Sequence, residues 1–104
     1  MFKVTKAAAS QIRESAHSGE AEDLALRIGA ARQPDGAVEY RIGFDEVGVE
    51  DVLLSSHGVD IVFANSHKEI LSGTVLDYVE LDPGEFRFIF MNPNDPHYRP
   101  PTED

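Results

Sequence analysis

Two strands near the C-terminus, Val75 to Glu80 and Glu85 to Met91, separated by Leu81-Asp82-Pro83-Gly84, constrain this fold more than any other stretch, because of the aromatic run in the second. In the second strand Phe86, Phe88 and Phe90 share one face, while Arg87 and Ile89 take the other. Three exposed phenylalanines would make a sticky patch, so that face is expected in the core.

The rest of the chain reads as one helix followed by more strands. Thr5 is an N-cap candidate, and Val4, Ala8, Ile12 and Ala16 recur at a spacing of four, giving a narrow apolar stripe that Gly19 is placed to end. From Leu24 the period becomes two: Leu24, Leu26 and Ile28 alternate with Ala25, Arg27 and Gly29, a half-buried strand. Val38, Tyr40, Ile42 and Phe44 form the next, after a Pro34-Asp35-Gly36 turn. Val52 to Ser56 and Val59 to Phe63 flank His57-Gly58, a hairpin with Gly where the backbone is unusual. A short helix is expected from Ser66 to about Leu71, ending near Gly73.

At 104 residues the chain has room for one modest core. The expectation is a single domain over residues 1–94, with 95–104 a proline-rich, acidic tail that is extended or mobile. Nineteen acidic against nine basic side chains give a formal charge of −10, which repels nucleic acid and anionic membrane and points to protein partners instead. No apolar run approaches the roughly 20 residues that span a bilayer, and the N-terminus has no signal-peptide core, so a cytoplasmic protein is expected. The chain contains no cysteine. Disulfides, thiolate metal sites and thiol nucleophiles are therefore excluded.

Gly73-Thr74-Val75-Leu76-Asp77-Tyr78-Val79-Glu80, followed by Phe86-Arg87-Phe88-Ile89-Phe90-Met91-Asn92-Pro93-Asn94, resembles the HesB-like, A-type iron-sulfur cluster carrier family. That family has a G-T-x-L-D-Y-V-E stretch and then a hydrophobic strand ending in N-P-N. Leu26-Arg27-Ile28-Gly29 matches its L-R-x-G, and His57-Gly58-Val59 its D-G-V turn, so the pattern lies without gaps over Leu26 to Asn94. The resemblance implies a mainly β fold with some α: a mixed-sheet β pseudobarrel or sandwich with an N-terminal helix and one short central helix. It also implies self-association, as a homodimer or higher oligomer. The family holds its cluster through three cysteines. The first aligns with Asp35, and the paired C-G-C of the tail falls on Arg99-Pro100-Pro101. The cluster-binding residues therefore do not carry over.

Asp35, at a lost ligand position, is a candidate metal ligand, although Asp before Gly also simply makes a turn. His97, beside the other lost positions, is the second candidate, with Asp95 or Asp35 as co-ligand for ferrous iron or zinc. His67 and Glu69, two apart, point to different sides and read as a solvated face. His57 reads as structural, as does Asp77. The acidic clusters Glu20 to Asp23 and Asp45 to Asp51 lack EF-hand spacing and read as loop solubility. No nucleophile elbow or phosphate loop is present.

Three functional readings follow. The first is an accessory protein of iron-sulfur cluster biogenesis that docks to assembly factors or client apoproteins, with no cofactor of its own and no catalysis. The second is a protein that binds iron, zinc or an iron-sulfur cluster through non-thiolate ligands, Asp35 and His97. The third is an enzyme that reuses the fold.

Overall fold

A computed structural model describes residues 2–95; the proline-rich tail from 96 on, His97 included, lies outside the described residues. In chain order the elements are β1 (Lys3–Val4), α1 (Lys6–Ser18), β2 (Ala25–Arg32), β3 (Val38–Asp45), β4 (Asp51–Ser56), β5 (Val59–Ala64), a 3-10 turn (Asn65–His67), β6 (Val75–Asp82) and β7 (Glu85–Met91). They form a three-stranded sheet, β1-β6-β7, and a four-stranded sheet, β3-β2-β5-β4. The pairs β1–β6 and β2–β5 are parallel and the others antiparallel. This is the mixed-sheet architecture with an N-terminal helix that the sequence implies, and the short helical segment at its centre is the 3-10 turn. No helix among the described residues is long and apolar enough to cross a membrane.

α1 begins where Thr5 accepts a hydrogen bond from the Ala8 amide at 3.1 Å. Its stripe of Ala8, Ala9, Ile12 and Ala16 is buried. Three of those four are alanines, so the helix backbone lies close against β5 and β6. The helix does stop at Gly19, whose N–H reaches Ser15 O at 3.0 Å. The left-handed residue, however, is Glu20 (φ 55°), while Gly19 keeps φ −92°.

His57 and Gly58 both have positive φ, 51° and 80°, as a two-residue hairpin between β4 and β5 requires. His57 Nδ1 lies 2.9 Å from Val4 O and Arg13 donates to His57 O at 2.8 Å, so this turn pins α1 and β1. The β3–β4 connection has a harder task. Because β2 and β5 lie between its ends, it crosses three interstrand spacings, about 14 Å. Arg27, near the start of β2, supports the crossing: it donates to Asp45 Oδ2 at 2.6 Å, Glu46 O at 2.9 Å and Asp51 Oδ2 at 2.6 Å. The acidic run Asp45 to Asp51 is therefore a structural clamp around a guanidinium, beyond the solubility role read from composition.

Three further expectations are corrected. The phenylalanine face is core only at one end. Phe90 stacks on Tyr40 (4.0 Å, 3°) and Phe88 packs on Tyr78, but Phe86, opposite Glu80 and stacked on Tyr78, is 55% exposed. The β6–β7 hairpin outruns the core, with a bulge between Glu80 and Asp82. Ile42, on the edge strand β3, is likewise 40% exposed. In place of a helix from Ser66 to Leu71, the 3-10 turn runs into further turns that end at Gly73 (φ 78°). They bury Leu71 and leave His67 half-buried with Nδ1 shielded from solvent and unpartnered, so His67 does not sit on a solvated face.

Candidate functional site

Of the positions aligned with the family's cysteines, Asp35 is among the described residues; it lies in the β2–β3 hairpin, which meets the segment after β7 at one corner. At the hairpin tip Gly36 N–H reaches Gln33 O at 2.8 Å, Gln33 N–H reaches Ala37 O at 2.7 Å, and Gly36 takes φ 91°. Asp35 Oδ1 accepts from the Ala37 amide at 3.0 Å. That bond stabilises the turn locally, which is the structural role open to Asp before Gly.

Asn92-Pro93-Asn94 forms the other wall. Asn92 is fully buried, donates through Nδ2 to Ile70 O at 2.7 Å and accepts from the Asn94 amide at 2.9 Å. Asn94 Nδ2 donates to Ser72 O at 2.9 Å. The two asparagines thus satisfy carbonyls that the irregular turn after the 3-10 segment leaves without secondary-structure partners, the requirement on any buried backbone polar group. Gly73 belongs to the same unit, since a Cβ there would lie 3.2 Å from Pro93 Cγ. The G-T and N-P-N motifs, 20 positions apart in the chain, are therefore two halves of one packing contact.

Arg32 joins the walls. Its Nη1 donates to Gly36 O at 2.7 Å and its Nη2 to Asn94 O at 3.3 Å. Behind it Tyr40 stacks on Phe90, its hydroxyl buried near the Asn92 amide without reaching hydrogen-bond geometry. Burial raises the Tyr40 pKa above the ordinary phenol value. Sequence reasoning singled out the N-P-N motif but not Arg32, whose only signal was an arginine immediately ahead of a turn.

The donor set does not fit a thiolate-held cluster. Iron-sulfur clusters take soft sulfur ligands, and the chain has none. Among the described residues no group of three or more His, Cys, Asp or Glu is placed to hold a metal ion. Of the two candidate ligands, Asp35 is placed at the corner and His97 lies outside the described residues.

No family profile matches the chain. Individual proteins do. The uncharacterized SufA protein of Bacillus subtilis (strain 168) is 30% identical over 92 residues, covering 88% of this chain and 76% of that one. The crystal structure of IscA with a 2Fe-2S cluster superposes with a TM-score of 0.74 at 30% identity, covering 89% of this chain and 86% of that one. Escherichia coli SufA, involved in biosynthesis of iron-sulfur clusters, shares the fold at a TM-score of 0.72 and 24% identity, over 89% of this chain and 86% of its own. With the G-T-x-L-D-Y-V-E and N-P-N segments packed together as one unit and a relative at this identity, the chain belongs to the HesB-like, A-type family of IscA and SufA, as a member without cysteine.

Proposed function

We propose that this protein serves iron-sulfur cluster biogenesis as a cytoplasmic, non-catalytic accessory that docks to other proteins of the pathway, assembly factors or client apoproteins, without holding a cluster by thiolates. One observation carries the reading. The corner that carries Asp35, where the family's pattern has its first cysteine, keeps the family's glycine and N-P-N framework through Gly73, Asn92 and Asn94, while the chain carries no sulfur ligand of that kind. A frame kept without its ligands suits recognition of a surface better than coordination of a cluster. The charge of −10 favours a partner with a basic face.

The test has two arms. After anaerobic purification and reconstitution with iron and sulfide, metal and acid-labile sulfide are measured in the wild type and in Asp35→Ala and His97→Ala. In parallel, the protein is titrated against a cysteine-bearing family member by calorimetry. Docking predicts a complex and no stoichiometric metal. Stoichiometric iron lost in either alanine variant would replace docking with metal binding through those residues, and absence of both metal and complex would sink the docking reading.

A further inference from the structure

The two sheets present four edges, and three are guarded. β1 is two residues long, and its Val4 amide donates to Ser56 Oγ at 3.1 Å. β3 carries Glu39 and Arg41, both exposed. β7 carries Glu85 and Arg87, both exposed, directly after Pro83 and Gly84. Charge, proline and shortness are the usual devices that stop an edge from recruiting another strand. β4 has none of them from Val52 to Ser56, and Leu53 stands 53% exposed on it. Its one charged residue, Asp51, is held by Arg27.

Beneath this edge lies an apolar slot of about 260 Å³. Phe2, Phe63 and Leu71 form its buried floor, Val52 and Leu54 its wall on the β4 side, and Lys68 and Ser72 its rim. The slot follows from the topology. The sheets are tied at one end of β4 by Ser56 and Val4, and the slot lies farther along the strand, at Val52 and Leu54. Lys68 is exposed and has no carboxylate partner among the described residues.

We propose that β4 and this slot receive an extended segment of a partner protein. The segment pairs backbone to backbone with β4, seats an apolar side chain among Phe2, Leu54, Phe63 and Leu71, and sets a carboxylate against Lys68. Strand addition of this kind draws affinity from main-chain hydrogen bonds and specificity from alternate side chains. A second copy of the chain is the poorer occupant, because two bodies of charge −10 repel and β4 offers no free carboxylate for Lys68. The proposal rests on the docking reading and adds the surface and the chemistry of the partner.

The experiment titrates isotope-labelled protein with two synthetic peptides, acetyl-TVTFTE-amide and acetyl-TVTFTK-amide, and follows amide shifts by NMR. Val, Phe and the charged residue share one face of an extended strand. Shifts are expected in residues 52–56, 63, 68 and 71, with the glutamate peptide binding roughly fivefold tighter than the lysine one. Lys68→Glu should reverse that order. Leu53→Lys, at an exposed position that tolerates change, should weaken both peptides by guarding the edge. Shifts that are absent or lie elsewhere, or an order unmoved by Lys68→Glu, overturn the proposal. Sedimentation as a dimer that Leu53→Lys dissociates would give the edge to a second copy and overturn it too. If the peptides fail while a cysteine-bearing relative still binds, this surface is wrong and the docking reading stands.

Discussion

Thr5 Oγ1 donates to Asp77 Oδ1 at 2.6 Å, while the same hydroxyl accepts from the Ala8 amide. One oxygen therefore caps α1 and ties it to β6, and Asp77 in turn accepts from the Tyr78 amide at 2.8 Å. The aspartate of the G-T-V-L-D-Y motif is thus a fastener between helix and sheet.

Thr5→Ala removes both the cap and the charge-assisted bond, so a loss of about 2 kcal/mol is expected. Thr5→Ser, which keeps the hydroxyl, should be near neutral. Urea unfolding of the two variants checks this, and equal losses would mean that the threonine methyl, not the hydroxyl, matters.

The clamp on the β3–β4 crossing predicts a pH dependence. The Asp51 pKa is lowered chiefly by its hydrogen bonds to Arg27, and that of Asp45 by the Glu46 amide and then Arg27; Arg27 itself is raised. A carboxylate with a depressed folded-state pKa adds stability above its unfolded value, near 3.9, and that contribution is lost as pH falls through the folded value. Stability is therefore expected to fall below about pH 4. In Arg27→Met the Asp51 titration, read by carboxylate NMR, should move up toward the ordinary value; an unmoved titration would acquit Arg27.

Asn92 is fully buried and uses both ends of its amide. Asn92→Asp would bury a charge and strip the donor from Ile70 O, so a loss of about 3 kcal/mol or more is expected at neutral pH. Asn92→Asp should recover part of that loss in mild acid, where the carboxyl is protonated. Thermal melts at two pH values test it.

Gly73 combines φ 78° with the close approach of Pro93. Gly73→Ala meets both the left-handed backbone penalty of about 1–2 kcal/mol and a contact that must give way. Pro93→Ala in the same background should restore part of the loss, and a double-mutant cycle measures that coupling. Strict additivity would show that the two residues do not meet.

Periodicity and turn chemistry alone located α1, the six longer strands and the turns at Pro34-Asp35-Gly36 and His57-Gly58, because these depend on neighbours within a few positions. The absence of cysteine was equally plain, and with it the absence of thiolate ligation. Where the pattern misled, the reason lay in distance along the chain. Phe86 obeys its strand's alternation but lies past the end of the core, a limit set by how far β6 and β7 extend beyond their neighbours. Arg27 looked like the polar position of an alternating strand; it became a clamp because the order β3-β2-β5-β4 carries the next connection across it. Arg32 bridges the hairpin to Asn94 across 62 positions, and Thr5 meets Asp77 across 72. The sequence by itself determined the elements and the loss of the family's chemistry. Only the tertiary structure decided which polar groups meet and which strand edge stays open, since both depend on the order in which strands pair across the whole chain.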